Sequence, residues 1–396
     1  MNLIFFDDKH TEDLLPLTFY KPTALLRTGI LTTAKRWEKI FETSGSYMTN
    51  EYLQEKYPIK TEAENIILNG RALPDENLVN QILNLNPGEC IMQKDVLIAA
   101  YTLQKHLEMD NAATALKDFK VLQIENVSMI RYGWDLFALN GEYIRYDFEL
   151  LTRNRQSAPL SNTNKVIGDG EIFIEDGVSA ECAVFNTKDG PVYLGKDSTV
   201  MEGSVVRGPF ALGEHSTLKM MSKIYGPTTI GPHCKVGGEV NNSVFLGYSN
   251  KAHDGFLGQA VIGEWCNLGA DTNNSNLKNT YDIVKMWSYP EQRFIKTGLQ
   301  FCGLIMGDHS KCGINTMFNT GTVVGVNANI FGAGYQKNLI PSFSWGGGLT
   351  PRSHYPLEKN LKVAEIVFQR RKLEFNDIEQ RLMTAVYNIC KENKNY

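Results

Sequence analysis

An excess of one charge, a long apolar run and a spaced cysteine motif are all missing from this sequence, and each absence removes a class of function. Lys plus Arg number 40 against 44 Asp plus Glu, a formal net charge of −4 over 396 residues. That balance excludes a broadly basic nucleic-acid binder while leaving room for a local phosphate-binding patch. No stretch reaches the ~18 consecutive apolar residues of a membrane-spanning helix, so no membrane partner is expected. The opening MNLIFFDDKHTEDLL lacks a basic first segment and turns acidic at once, so it is not expected to act as a signal peptide. The seven cysteines (Cys90, Cys182, Cys234, Cys266, Cys302, Cys312, Cys390) are odd in number and never in C-x-x-C spacing. Neither a disulfide framework nor a structural zinc site is expected, and a reducing cytoplasm suits such a chain.

Proline is also scarce, 14 residues against 34 glycines, and the glycines concentrate after about residue 165. That half of the chain carries a repeat. From Leu194 it cuts into sixes without a gap: LGKDST, VMEGSV, VRGPFA, LGEHST, LKMMSK, IYGPTT, IGPHCK, VGGEVN. Each block opens on an aliphatic residue: Leu194, Val200, Val206, Leu212, Leu218, Ile224, Ile230, Val236. The pattern returns from Ile262 and again from Met306. A helix has a period near 3.6 and a strand a period of 2, so a strict six fits neither alone. It fits one short strand and one corner, the aliphatic residue pointing inward and small residues serving the corner. Three sixes then close one triangular coil, and stacked coils bury a continuous aliphatic column. The pattern resembles the hexapeptide-repeat acyltransferases, and that resemblance implies a left-handed parallel β-helix.

Two breaks interrupt the repeat, a slip near 241–261 and a polar, aromatic stretch over 274–303. Insertions in solenoids form loops on one face and often carry the binding site. Ahead of the repeat, residues 1–155 alternate strand-like runs (LIFF, NIILNG, CIMQ, KVLQI) with helix-like ones (GILTTAKRWEKIF, DENLVNQILNL, VLIAAYTLQKHL). This predicts an α/β domain on a largely parallel sheet. The expected organisation is an α/β domain over 1–155, a β-helix over 156–350 and a C-terminal α-helix over 351–396. The apolar stripe at 361, 364, 368, 375, 378, 382, 386 and 389 gives that helix a docking face.

Longer segments resemble the bifunctional family that makes UDP-N-acetylglucosamine, in its shortened bacterial form: a sugar nucleotidyltransferase fused to a β-helix acetyltransferase. In the second half, KAHDGFLGQAVIGEWCNLGADTNNSNLKN runs parallel to the family's acetyltransferase motifs. The resemblance puts His253 on the catalytic base, Phe256 on a sugar-contacting tyrosine, Asn267 on the asparagine of a coil and Asn276 on that of a loop, which makes His253 and Asn276 the candidate catalytic residues and Phe256, Asn267 and Ala270 the candidate substrate-binding ones. Phe256 lacks the hydroxyl, and Asn242 or a neighbour stands where the family has a sugar-binding lysine. Acetyl transfer from acetyl-CoA to an amine needs a neutral nitrogen, and an imidazole with an ordinary pKa of about 6.5 can remove the ammonium proton. A corner backbone N–H can meet the developing oxyanion, with Ala270 the candidate by position. His215, His233 and His309 fall at turn positions of regular coils and read as structural.

In the first half, Pro16-Leu17-Thr18 and Lys21-Pro22 match family segments, while the family's Gly-rich phosphate loop is absent. Lys21 and Arg27 are the candidate nucleotide-binding cations, and Asp8, Asp95 and Asp135 the candidate Mg²⁺ ligands, Asp135 by resemblance. The implied function is acetylation of an amino-sugar 1-phosphate, with coupling of that sugar to a nucleotide as a second step. The resemblance implies a homotrimer. Two alternatives stay open: a trimeric β-helix scaffold with a nucleotide-sugar-binding N-domain, and a nucleotidyltransferase with an inert β-helix.

Overall fold

The computed structural model describes residues 2–103 and 118–393. Six strands form the N-terminal sheet: β1 (Asn2–Phe6), β2 (Gly45–Met48), β3 (Asn65–Asn69), β4 (Glu89–Gln93), β5 (Val96–Thr102) and β6 (Lys120–Gln123), in the order β2-β1-β3-β5-β4-β6. β1 runs parallel to β2 and β3, while β5 is antiparallel to both β3 and β4. The sheet is therefore mixed where a largely parallel one was expected. The difference lies in Val96–Thr102, the start of a run expected to be helical; the residues from 104 on lie outside the described residues. A short apolar run buried on both faces has no periodicity to separate helix from strand. Among the described residues five α-helices accompany the sheet: α1 (Thr33–Phe41), α2 (Glu51–Gln54), α3 (Glu76–Leu83), α4 (Asp135–Ala138) and α5 (Asn140–Thr152). α1 starts where the Thr32 hydroxyl accepts the Lys35 N–H, and α3 where the Asp75 carboxylate accepts the Leu78 N–H (2.7 Å).

The period of six becomes three parallel sheets wound into a β-helix of about ten coils. Leu194 opposes Leu212 and Leu212 opposes Ile230 on one face. Val200, Leu218 and Val236 line up on the second, Val206 and Ile224 on the third. All eight are buried, and each such side chain contributes roughly 1.5–3 kcal/mol on leaving water. The slip is a shortened coil: Ile230 opposes Phe245 and Val236 opposes Lys251, fifteen residues on instead of eighteen. Part of the loss falls at one corner, where Gly237 and Gly238 alone separate Val236 from the strand starting at Glu239.

Five successive corners of one edge place a ring in the left-handed backbone region: His215, His233, Tyr248, Trp265 and His309. The first four stack at centroid spacings of 4.9, 4.6 and 4.3 Å, and Trp265 stacks on Phe368 at 4.2 Å. Phe368 lies in α6 (Leu357–Gln369); a second helix, α7 (Asp377–Glu392), follows it. Two helices thus stand where one was expected. Lys372 turns the chain through positive φ, and the Asn376 side chain caps α7 by accepting the Glu379 N–H (3.1 Å).

Candidate active site

At the slip, residues 252–255 form a loop joining the short strand Asn250–Lys251 to the strand Phe256–Gly258. The loop presents His253 and Asp254 to solvent. On one side it presses against Gly237-Gly238. A Cβ on Gly237 would lie 2.7 Å from the Ala252 oxygen, and one on Gly238, at φ +75°, 2.8 Å from Asp254 Cα. On the other side the Asp254 oxygen accepts the Asp271 N–H (3.0 Å), and a Cβ on Gly255 would lie 2.3 Å from the Thr272 oxygen. Only glycine admits so close an approach, so the sequence V-G-G supplies the notch into which the His253 loop fits.

Phe256 and Asn276 converge over Gly258, where an added Cβ would sit 2.6 Å from Phe256 Cζ and 2.7 Å from Asn276 Nδ2. Asn276 Nδ2 donates to Gln259 Oε1, and the Phe256 N–H donates to Asn273 Oδ1 at 2.7 Å. Asn274 closes the layer by accepting the Gly258 N–H (2.8 Å) and donating to the Gly258 oxygen (2.9 Å). Ala270 lies on the corner next to the His253 loop, and its amide N–H has no acceptor among the described residues. Asn267 departs from this group: it is exposed on a different face, opposite Asn250 and Lys311. Asn242 turns its amide toward the carbonyls of Phe137 and Pro227 at the domain junction.

The sequence reading passed over Lys251, which is nearly fully buried in the aliphatic column. Following the column from Val236 through the shortened coil is the signal that finds it.

The N-terminal candidates occupy other positions than expected. Pro16 packs against Gly307, and Leu17 and Phe19 enter one buried cluster with Ile305 and Val326 of the β-helix. The Lys21 ammonium, 2% exposed, lies 2.6 Å from Asp308 Oδ2 and 3.0 Å from Glu264 Oε2. Those two carboxylates hold its proton more tightly than an ordinary lysine does, against the opposing effect of burial. Arg27 donates to the oxygens of Ile30 and Leu246. Both cations assigned to phosphate therefore face the domain junction, because the segment without its Gly-rich loop is packed onto the β-helix.

The carboxylates assigned to Mg²⁺ are likewise engaged or apart. Asp8 is paired in fork geometry by Arg71 and accepts from Asn69, interactions that hold its carboxyl below the usual range against the opposing effect of burial. Asp135 accepts the N–H groups of Arg131 (2.7 Å) and Tyr132 (2.9 Å), and burial pushes its carboxyl up. Asp95 is exposed in the β4–β5 turn. Among the described residues no three His, Cys, Asp or Glu side chains gather into a metal-binding group. These residues do not fit a resident Mg²⁺.

Comparison with known proteins follows the same division. Residues 3–156 match the family model described as sugar nucleotidyl transferase, so the N-terminal domain is nucleotidyltransferase-like. Solved structures similar to the chain include two acetyltransferases and an acyltransferase. They include the polySia-specific acetyltransferase NeuO (14% identity, 49% of this chain and 87% of that one, TM-score 0.25). Two others are the polysialic acid O-acetyltransferase OatWY (13%, 48% and 87%, TM-score 0.20) and an Arabidopsis UDP-N-acetylglucosamine acyltransferase (14%, 54% and 80%, TM-score 0.19). Scores this low leave the fold to be argued from the strand pairing itself. No curated protein matches the chain.

Proposed function

We propose that the chain transfers an acetyl group from acetyl-CoA to an amino-sugar 1-phosphate at the corner that carries His253. The supporting observation is the solvent-facing His253 loop, wedged between two coils where the solenoid shortens. The neutral imidazole takes a proton from the acceptor's ammonium group. The freed amine attacks the thioester carbonyl, and the oxyanion that forms meets the Ala270 N–H. The attack makes the C–N bond; collapse re-forms the carbonyl, breaks the C–S bond and releases CoA, whose thiolate takes up the second proton that the attacking nitrogen loses. Phe256 and Asn276 are the proposed contacts to the sugar, the phenyl face against the ring and the amide against a hydroxyl or phosphate oxygen.

His253→Ala should lower acetyl-CoA turnover with an amino-sugar 1-phosphate by about 10²–10⁴-fold and leave the melting curve native. Unchanged turnover in the folded variant removes His253 from the mechanism. We further propose a homotrimer, the closed cyclic arrangement that lets β-helices pack side by side. Light scattering at micromolar concentration should give three times the monomer mass, and a monomer overturns it.

A second reading concerns the N-terminal domain alone, and the burial of Lys21 against Asp308 favours it. Here the nucleotidyltransferase-like domain braces the β-helix and does not form a UDP-N-acetylglucosamine-type product. Pyrophosphate release from UTP and a sugar 1-phosphate, measured with Mg²⁺ present, would restore the coupled activity.

A further inference from the structure

Lys251 stands at an inward position of the β-helix. Its backbone opposes Val236, and the column runs from Ala180, Val200 and Leu218 through it to Leu268, Cys312 and Ile330. Every other member of that column is apolar or a thiol, and Lys251 is 1% exposed. An ammonium group placed there loses its hydration and needs acceptors in return. It has two: Nζ donates to the Gly237 oxygen at 3.1 Å and to the His253 oxygen at 2.8 Å. The first carbonyl belongs to the shortened corner and the second to the loop seated in its notch, so one buried cation ties the two together. Among the described residues this is the one hydrogen bond that His253 makes.

An aliphatic side chain would fill the same space without the desolvation cost, so stability alone gives no reason for a lysine. We infer that Lys251 is a positioning residue for acyl transfer: its ammonium group pins the His253 carbonyl and thereby fixes the loop that carries the imidazole. This inference rests on the proposed role of His253 as base.

The test is Lys251→Met, which keeps the length of the side chain and restores an apolar column. Its melting temperature should equal or exceed that of the native chain. Amide hydrogen exchange over residues 252–256 should accelerate about tenfold or more while residues 194–236 keep their protection. In the same variant kcat should fall at least about tenfold with KM for acetyl-CoA unchanged, as expected when geometry at the reacting centre is lost. Unaltered exchange and unaltered kcat in the folded variant overturn the inference. Should Lys251→Met not fold, Lys251→Leu is read the same way, and failure of both to fold makes Lys251 a purely structural residue and overturns the inference. If the native chain shows no acetyl-CoA turnover, the reading of His253 as base fails. The exchange measurement still decides whether Lys251 holds the loop.

Discussion

A buried lysine carries its own signature in the pH dependence of stability. Burial draws the Lys251 ammonium from the ordinary 10.5 down to about 8, although Asp254 and Asp271 pull the other way. Between those two values the unfolded chain binds more protons at this position than the folded one. The lysine's unfavourable contribution is therefore complete below about pH 8, and native stability gains relative to a variant without it as pH rises toward 10.5. Thermal melts of the native chain and Lys251→Met from pH 6 to 11 check this. The variant's advantage should be widest below about pH 8 and should close by about pH 10.5. A gap that stays constant across the range would mean that the side chain is hydrated in the folded protein.

Elements differ in how far the sequence discloses them, and the reason is the distance over which each is specified. Blocks opening on Leu194, Val200 and Val206 repeat a local rule, so the three sheets and their inward residues can be read directly. The slip after Val236 can also be read as a slip, but a repeat does not state how many residues a short coil has dropped. Lys251 consequently passes as a polar residue of a loop until strand pairing sets it opposite Val236. The insertion behaves similarly. Its aromatic and polar composition marks an excursion from the coil, and the excursion folds as the hairpin Lys285–Ser288 and Arg293–Lys296. Its destination depends on distant partners: Tyr289 meets Phe19 of the N-terminal domain edge to face at 6.1 Å. Lys21, the candidate nucleotide-binding cation, is engaged elsewhere for the same reason. Local spelling identifies the segment, while Asp308, 287 residues away, determines what Lys21 does.

Across the whole molecule, one buried cluster joins all three parts: Leu17 and Trp134 of the N-terminal domain, Val261 and Val326 of the β-helix, Phe368 and Leu382 of the C-terminal helices. Ion pairs reinforce it, Arg381 with Glu55 and Lys56 with Glu379 linking α7 to the turn that follows α2. Those pairs are partly or fully hydrated and contribute little. The Lys21 cluster is different because the Lys21 and Asp308 side chains are each only 3% exposed. Removing one member of such a pair strands the other charge, at a cost of about 3–5 kcal/mol, whereas neutralising both is far milder. Lys21→Met should therefore lower the guanidinium unfolding midpoint sharply, and Lys21→Met combined with Asp308→Asn should recover at least half of the loss. The lysine's contribution persists through neutral pH and fades only in strong alkali, since its proton is held above the ordinary 10.5 of an unfolded lysine. If Lys21 served a nucleotide phosphate instead, the single variant would abolish UTP binding in calorimetry while unfolding as the native chain does. A loss of stability with partial recovery in the double variant assigns Lys21 to the junction. It would also explain why the segment that carries it needs no glycine loop.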